Sequence, residues 1–187
     1  MVMNEKETGI RKSGRKLWAC SLLMLLFLVL MSTTALAAKT GWKQVGKKIY
    51  YYVAGEDGRE KATGLRKIGK RYYYFNKNGV MKTGWVKTSE GFRYFKPTGN
   101  VGATQGSMYT GLKTIGKYKY YFDKNGVVTT GLRTVKKKTY FFSTNKNMGV
   151  RGRSLKNRWK TVKGVKYYFK SDGTTAKNCW VNKTYYV

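Results

Sequence analysis

The side chains able to do chemistry in this chain are aromatic rings and cations. Sixteen tyrosines, eight phenylalanines and five tryptophans stand beside 39 Lys+Arg, against 8 Asp+Glu and no histidine. Without histidine, triads and His-based acid–base catalysis are excluded. Past residue 38 the carboxylates are Glu56, Asp57, Glu60, Glu90, Asp123 and Asp172. Asp57 and Asp172 precede glycine and Asp123 opens the phrase DKNG, so turn hydrogen bonding is their expected work. Glu56, Asp57 and Glu60 share one turn but lack the full ligand spacing of a calcium loop. No catalytic residue, metal site or cofactor is expected, and the protein is read as a non-enzyme. Rings can stack on sugars or enclose a cation, and Lys/Arg attract anionic polymers.

These side chains must be positioned by repeats. Thr-Gly-Trp or Thr-Gly-Leu opens units at Thr40, Thr63, Thr83, Thr110 and Thr130, with degenerate openings at Asn157 (NRW) and Asn178 (NCW). Each unit continues with a short segment, a tight turn such as Gly69-Lys70, and an aromatic run such as Tyr72–Phe75, Tyr120–Phe122, Tyr140–Phe142 or Tyr167–Phe169. A second turn closes it, as in NKNG (Asn76–Gly79), DKNG (Asp123–Gly126) and KSDG (Lys170–Gly173). Aromatic and β-branched residues around Gly-containing turns predict β-hairpins. A lone hairpin cannot bury both faces, so each must pack on the next. The expected fold is all-β, a hairpin solenoid of about seven stacked repeats over 39–187. Units three and five carry longer insertions, Lys96–Tyr109 with the one proline and Ser143–Lys156. In repeat arrays such insertions form loops on one face.

The N-terminus has a different grammar. Arg11, Lys12, Arg15 and Lys16 precede the apolar run Leu22–Met31, and small residues follow, including Ala35-Leu36-Ala37. That order predicts a helical secretory signal peptide over 1–38, the sole expected contact with membrane. Its removal leaves 34 basic against 6 acidic residues. Cys20 leaves with it, so Cys179 has no intrachain disulfide partner.

The phrase TGW…GKKIYYY…G…TGL resembles the cell-wall-binding repeats of Gram-positive bacteria. This superfamily includes choline-binding repeats, glucan-binding repeats and the repetitive carbohydrate-binding regions of clostridial toxins. The resemblance covers about 40–187. It implies a hairpin solenoid and non-covalent attachment to wall polymer or glycan. Choline-binding repeats read TGW…G-x-W-Y-Y-L and hold a quaternary ammonium in aromatic cages between hairpins. The opening tryptophan is kept here at Trp42, Trp85, Trp159 and Trp180 and is leucine at Leu65, Leu112 and Leu132. The strand tryptophan is replaced throughout, by Ile49, Tyr72, Phe92, Lys119, Thr139 and Lys166. Cages short of one or two walls count against choline as the guest.

Candidate ligand contacts are Trp42, Trp85, Trp159 and Trp180 at the unit joints, with Tyr51, Tyr74, Tyr94, Tyr121 and Tyr168 on the strands. The long-then-short pair from Gly91 onward resembles toxin-type repeats, which adds Lys96, Gln105 and Lys113 beside Tyr94 and Tyr121. Lys67, Lys70, Arg71, Lys117, Lys119, Lys136, Lys137, Lys138, Lys163 and Lys166 are expected at the hairpin tips. Two classes of function follow. One is an exported, surface-located protein attached to cell-wall polysaccharide or teichoic acid. The other is a secreted adhesin or interaction factor for host glycans. Nucleic acid is disfavoured as a partner by export and by the repeat grammar, although basic charge with interleaved rings suits single strands.

Overall fold

The computed structural model describes residues 40–56, 58–147, 149–177, 180–181 and 185–186. The expected leader, Asp57 and Cys179 lie outside them. All described elements are strands, and no helix among the described residues is long and apolar enough to cross a membrane. The first hairpin pairs β1 (Gly41–Val45) with β2 (Lys48–Gly55), and β3 (Gly58–Lys61) adds to its far edge. The second pairs β4 (Gly64–Ile68), β5 (Arg71–Phe75) and the short β6 (Met81–Lys82). Four hairpins of equal length follow: β7 (Gly84–Thr88) with β8 (Gly91–Phe95), β9 (Gly111–Ile115) with β10 (Tyr118–Phe122), β11 (Gly131–Val135) with β12 (Lys138–Phe142), and β13 (Arg158–Val162) with β14 (Val165–Phe169). A last short pairing joins β15 (Trp180–Val181) to β16 (Tyr185–Tyr186). The all-β hairpin expectation is met.

Turn chemistry sets the register. Pairs such as Ile68↔Arg71 and Ile115↔Tyr118 leave two-residue loops, Gly69-Lys70 and Gly116-Lys117. Both glycines have φ of 58°, the positive value that tight hairpins require at the first loop residue. The fifth hairpin makes its turn without glycine: Lys136 and Lys137 have φ of 49° and 64°. The second turn of each unit is pinned by a side chain. Asn76 Oδ1 accepts from the amides of Asn78 and Val80, and Asp123 Oδ1 accepts from Asn125 and Val127. Asp172 Oδ1 accepts from the amide and hydroxyl of Thr174. The carboxylates Asp123 and Asp172 thus do the turn work expected of them.

Strand alternation builds the core. Phe75, Phe95, Phe122, Phe142 and Phe169 are each 0 % exposed, one per hairpin. Two residues earlier on the same face, Tyr73, Tyr120 and Tyr140 are also buried, and Arg93 occupies that place in the third hairpin at 2 % exposure. Units two to six are tied in sequence by one backbone bond at each joint. The amides of Met108, Val128, Ser154 and Thr175 donate to the carbonyls of Tyr72, Phe92, Lys119 and Thr139 in the preceding unit, at 2.8, 2.8, 2.8 and 2.9 Å. The same four residues bridge to Phe95, Phe122, Phe142 and Phe169 of their own unit. Each hairpin therefore finishes its own sheet while bonding to its neighbour. Residues 41–53 and 60–187 form one compact unit, and the turn at 54–59 falls outside it.

Candidate functional site

The joints between hairpins are built from the opening tryptophan of one unit and the aromatic strand of the next. Trp42 stands opposite Tyr51 across its own hairpin. Its ring meets Tyr51 edge-on at 5.1 Å, and Tyr73 and Phe75 of the next hairpin at 4.8 and 6.0 Å. Trp85 repeats the arrangement with Tyr94 at 5.1 Å, Tyr120 at 5.1 Å and Phe122 at 5.8 Å. Both tryptophans are half-buried. Edge-to-face contacts satisfy the ring quadrupoles, so these rings bind hairpin to hairpin. Where the opening residue is leucine the strand aromatics carry the joint, as Tyr74 does on Phe95 at 6.0 Å and Tyr121 on Phe142 at 6.4 Å.

The long loop Lys96–Tyr109 packs back across an earlier joint. The phenol of Tyr73 donates to the carbonyl of Ala103 at 3.0 Å. Gly102 lies so close to Trp42 that a Cβ there would stand 3.0 Å from the indole Cδ1. Lys96 and Gln105 serve the loop itself. The Lys96 backbone exchanges bonds with Gly106 and Ser107, and Gln105 Nε2 donates to the carbonyl of Pro97 at 3.3 Å. The loop ends on Tyr109, which lies 5.2 Å from Tyr94 and carries Lys113 Nζ 5.6 Å from its centroid. The structure therefore gathers Trp85, Tyr94 and Lys113 into one neighbourhood, with Tyr109 as its centre.

The remaining candidates sit apart. Trp159 lies 5.2 Å from Tyr168 in its own hairpin, and Lys166 Nζ is 5.0 Å from the indole centroid. Tyr121 carries the Arg133 guanidinium at 4.8 Å. Trp180 belongs to β15, and its side chain is outside the described residues. Several ring faces thus hold a cation of the chain itself. Among the hairpin-tip cations, Lys67, Lys70, Arg71, Lys117, Lys136, Lys137, Lys138 and Lys163 are exposed. Lys119 is committed within the chain, its Nζ donating to the carbonyl of Asp172 at 2.7 Å.

Sequence reasoning missed Arg93, Tyr109 and Arg133. Arg93 is the clearest case. Its Nε donates to the Asn125 carbonyl at 3.0 Å, one terminal nitrogen to Thr88 Oγ1, and the other to Glu90 Oε2 at 2.9 Å. The signal was present in GFRYF, where an arginine interrupts the aromatic run at the place of Tyr73 and Tyr120. Among the described residues no group of three His, Cys, Asp or Glu is placed to hold a metal ion.

Repeated hairpins tied by an opening tryptophan and a tyrosine-rich strand define an aromatic hairpin-repeat class. Family models place it: the choline-binding repeat matches residues 62–105, and the cell wall binding repeat matches 110–128 and 157–174. The matched stretches are repeats of the cell-wall-binding superfamily, of which choline-binding repeats are part. Among solved structures it is similar to choline binding protein F from Streptococcus pneumoniae, at 27% identity and TM-score 0.61, over 80% of this chain and 45% of that one. The same protein in the presence of a peptidoglycan analogue matches at 28% and 0.62, over 80% and 44%. CbpJ from Streptococcus pneumoniae matches at 26% and 0.62, over 77% and 44%. The chain spans less than half the length of these relatives. No curated protein matches it by sequence.

Proposed function

We propose that this chain is an exported, non-catalytic module of about seven stacked hairpins that attaches to anionic cell-wall polymer. In this proposal the basic hairpin tips meet the phosphates of teichoic acid, and the aromatic joints mainly hold the array together. The observation that carries it is the division of labour between the two residue classes. Trp42 and Trp85 are spent on inter-hairpin packing, while the tip cations Lys70, Lys117, Lys137 and Lys163 are exposed at turns that recur along the chain. Recurring weak contacts add in avidity. Rings that already carry Lys113, Arg133 and Lys166 offer a second cation a less favourable face. A wall-polymer ligand also agrees with the pneumococcal relative studied in the presence of a tetrasaccharide-pentapeptide. Glycan contact is assigned to the neighbourhood of Tyr94, Tyr109 and Lys113, where a ring and donors stand together.

The test is co-sedimentation of the purified chain with Gram-positive cell walls, before and after teichoic acid is stripped, with a parallel sample in excess choline. Binding lost on stripping supports the proposal. Binding that survives stripping moves the site to the aromatic joints and a glycan, and release by choline restores the cages as ligand sites. No binding to either preparation overturns wall attachment and favours a host glycan.

A further inference from the structure

The second long loop makes a pocket that neither the repeat motif nor the joints account for. A cavity of about 310 Å³ lies between the tip of the β9–β10 hairpin, the loop Ser143–Lys156 and the start of β13. Lys117, Arg153, Lys156 and Arg158 line it, and no carboxylate does. Four cations around one small cavity repel each other, and an anionic guest would relieve that repulsion.

The cations are held in place. The Arg153 guanidinium lies 4.7 Å from the centroid of the Tyr118 ring, and Lys117 Nζ lies 5.6 Å from the same centroid. Lys156 Nζ donates to the Lys117 carbonyl at 3.2 Å, and Arg158 Nε donates to the Lys156 carbonyl at 3.4 Å. Arg153 Nε is buried and has no hydrogen-bond partner. Leaving a charged donor unpaired is costly, so a small turn of the guanidinium toward a guest acceptor would be favourable. The repeat itself is altered here. The first five units open with a glycine at positive φ, such as Gly84 and Gly111. This one opens Asn157-Arg158, and Asn157 takes the positive φ of 50°. That exchange puts an arginine where its neighbours have no side chain.

We infer that this pocket binds a phosphate group, with Arg153 as the principal contact and Lys117, Lys156 and Arg158 supplying charge. A planar guanidinium oriented on a ring matches phosphate oxygens in pairs. The pocket's chemistry stands on these residues alone, and only the source of the phosphate rests on the wall-polymer proposal. A polymer phosphodiester and a free phosphate share this chemistry.

Calorimetric titration of the full chain in about 150 mM salt with inorganic phosphate, and separately with a poly(glycerol phosphate) oligomer, tests it. Saturable binding is expected. Arg153→Gln is expected to weaken it about tenfold or more, the loss of one paired charge-assisted contact. Arg158→Gln, at an exposed position that leaves folding intact, is expected to weaken it in the same direction. The exposed double variant Lys77→Gln/Lys87→Gln removes more charge elsewhere and is expected to bind as wild type. Tighter binding of the oligomer, counted per phosphate, identifies a polymer; equal binding identifies free phosphate. Absence of saturable binding, or an equal loss in the Lys77/Lys87 variant, overturns the pocket and leaves a diffuse field. Because no wall is used, failure here is distinct from failure of wall attachment.

Discussion

Ser154 and Lys119 bond to each other twice across a unit joint. The Ser154 amide donates to the Lys119 carbonyl at 2.8 Å, and the Ser154 hydroxyl accepts from the Lys119 amide at 3.1 Å. Ser154 is 2 % exposed. Its counterparts Met108 and Val128 have no side-chain acceptor, so this joint carries a bond that the preceding two lack. Ser154→Ala leaves a buried amide without its acceptor and is expected to cost about 1–3 kcal/mol. Urea unfolding measures it, and an unchanged midpoint would show that solvent reaches the Lys119 amide.

Arg93 fills a tyrosine place, which makes an unusual exchange reasonable. Arg93→Tyr removes a buried guanidinium and restores the residue type of Tyr73, Tyr120 and Tyr140. Replacing a buried ion pair by a packed ring is often neutral or favourable. Its partner Glu90 is 61% exposed at the side chain and returns to water without penalty. We expect Arg93→Tyr to hold or raise the thermal midpoint. Both variants lose the bond to the Asn125 carbonyl, but Arg93→Ala also leaves a cavity and is expected to lower stability by about 2–4 kcal/mol.

Trp85→Ala should separate packing from recognition. The ring joins Tyr94, Tyr120 and Phe122 across two hairpins. Its loss is expected to cost about 3 kcal/mol, near the low end for a large ring because Trp85 is half-buried. Wall binding measured well below the new midpoint should change less than stability does. A variant with full stability and no wall binding would make Trp85 a ligand contact.

The fifth hairpin turns on two lysines at positive φ, Lys136 and Lys137. Non-glycine residues there are strained, and Asn-Gly is the favoured pair. Lys136→Asn/Lys137→Gly is expected to raise stability by about 0.5–2 kcal/mol. Thermal unfolding in high salt tests it, because salt suppresses the gain from charge removal alone.

Stability should fall at both ends of the pH scale, for different groups. Burial pushes the phenols of Tyr73, Tyr94 and Tyr140 above their ordinary 10.0. For Tyr94 the neighbouring Tyr109 and Tyr120 add to this, and for Tyr140 Asp172 does. An acid whose folded pKa is raised contributes stability below its unfolded value and loses it as pH rises through the folded one. Asp172 has the opposite sign. Burial pushes its carboxyl up, but the Thr174 bonds together with Lys170 and Lys119 outweigh that and hold it below 3.8. Its contribution is present above that value and lost as pH falls further. The expected profile is flat from about pH 5 to about pH 9 and falls beyond both. Ultraviolet titration of the folded chain should show a late-ionising tyrosine class; a single class at the ordinary value would contradict the burial account.

Local chemistry was enough to read the hairpins. Strand alternation around Gly69-Lys70 and Gly116-Lys117, and the Asp-pinned turns at Asp123 and Asp172, depend on residues a few positions apart. Their spacing along the chain therefore encodes them directly. The family followed from the same recurrence. What tertiary structure decided was the use of each ring. Trp42 packs against the next hairpin and against loop Lys96–Tyr109, and Trp159 carries Lys166 over its ring. The contacts of Tyr109 and the meeting of Tyr118 with Arg153 were likewise invisible beforehand, and GFRYF marked Arg93 as odd without showing its partners. Those contacts join residues in different units through loops of unequal length. A ring's burial is set by whatever such a loop lays over it, which no single repeat contains.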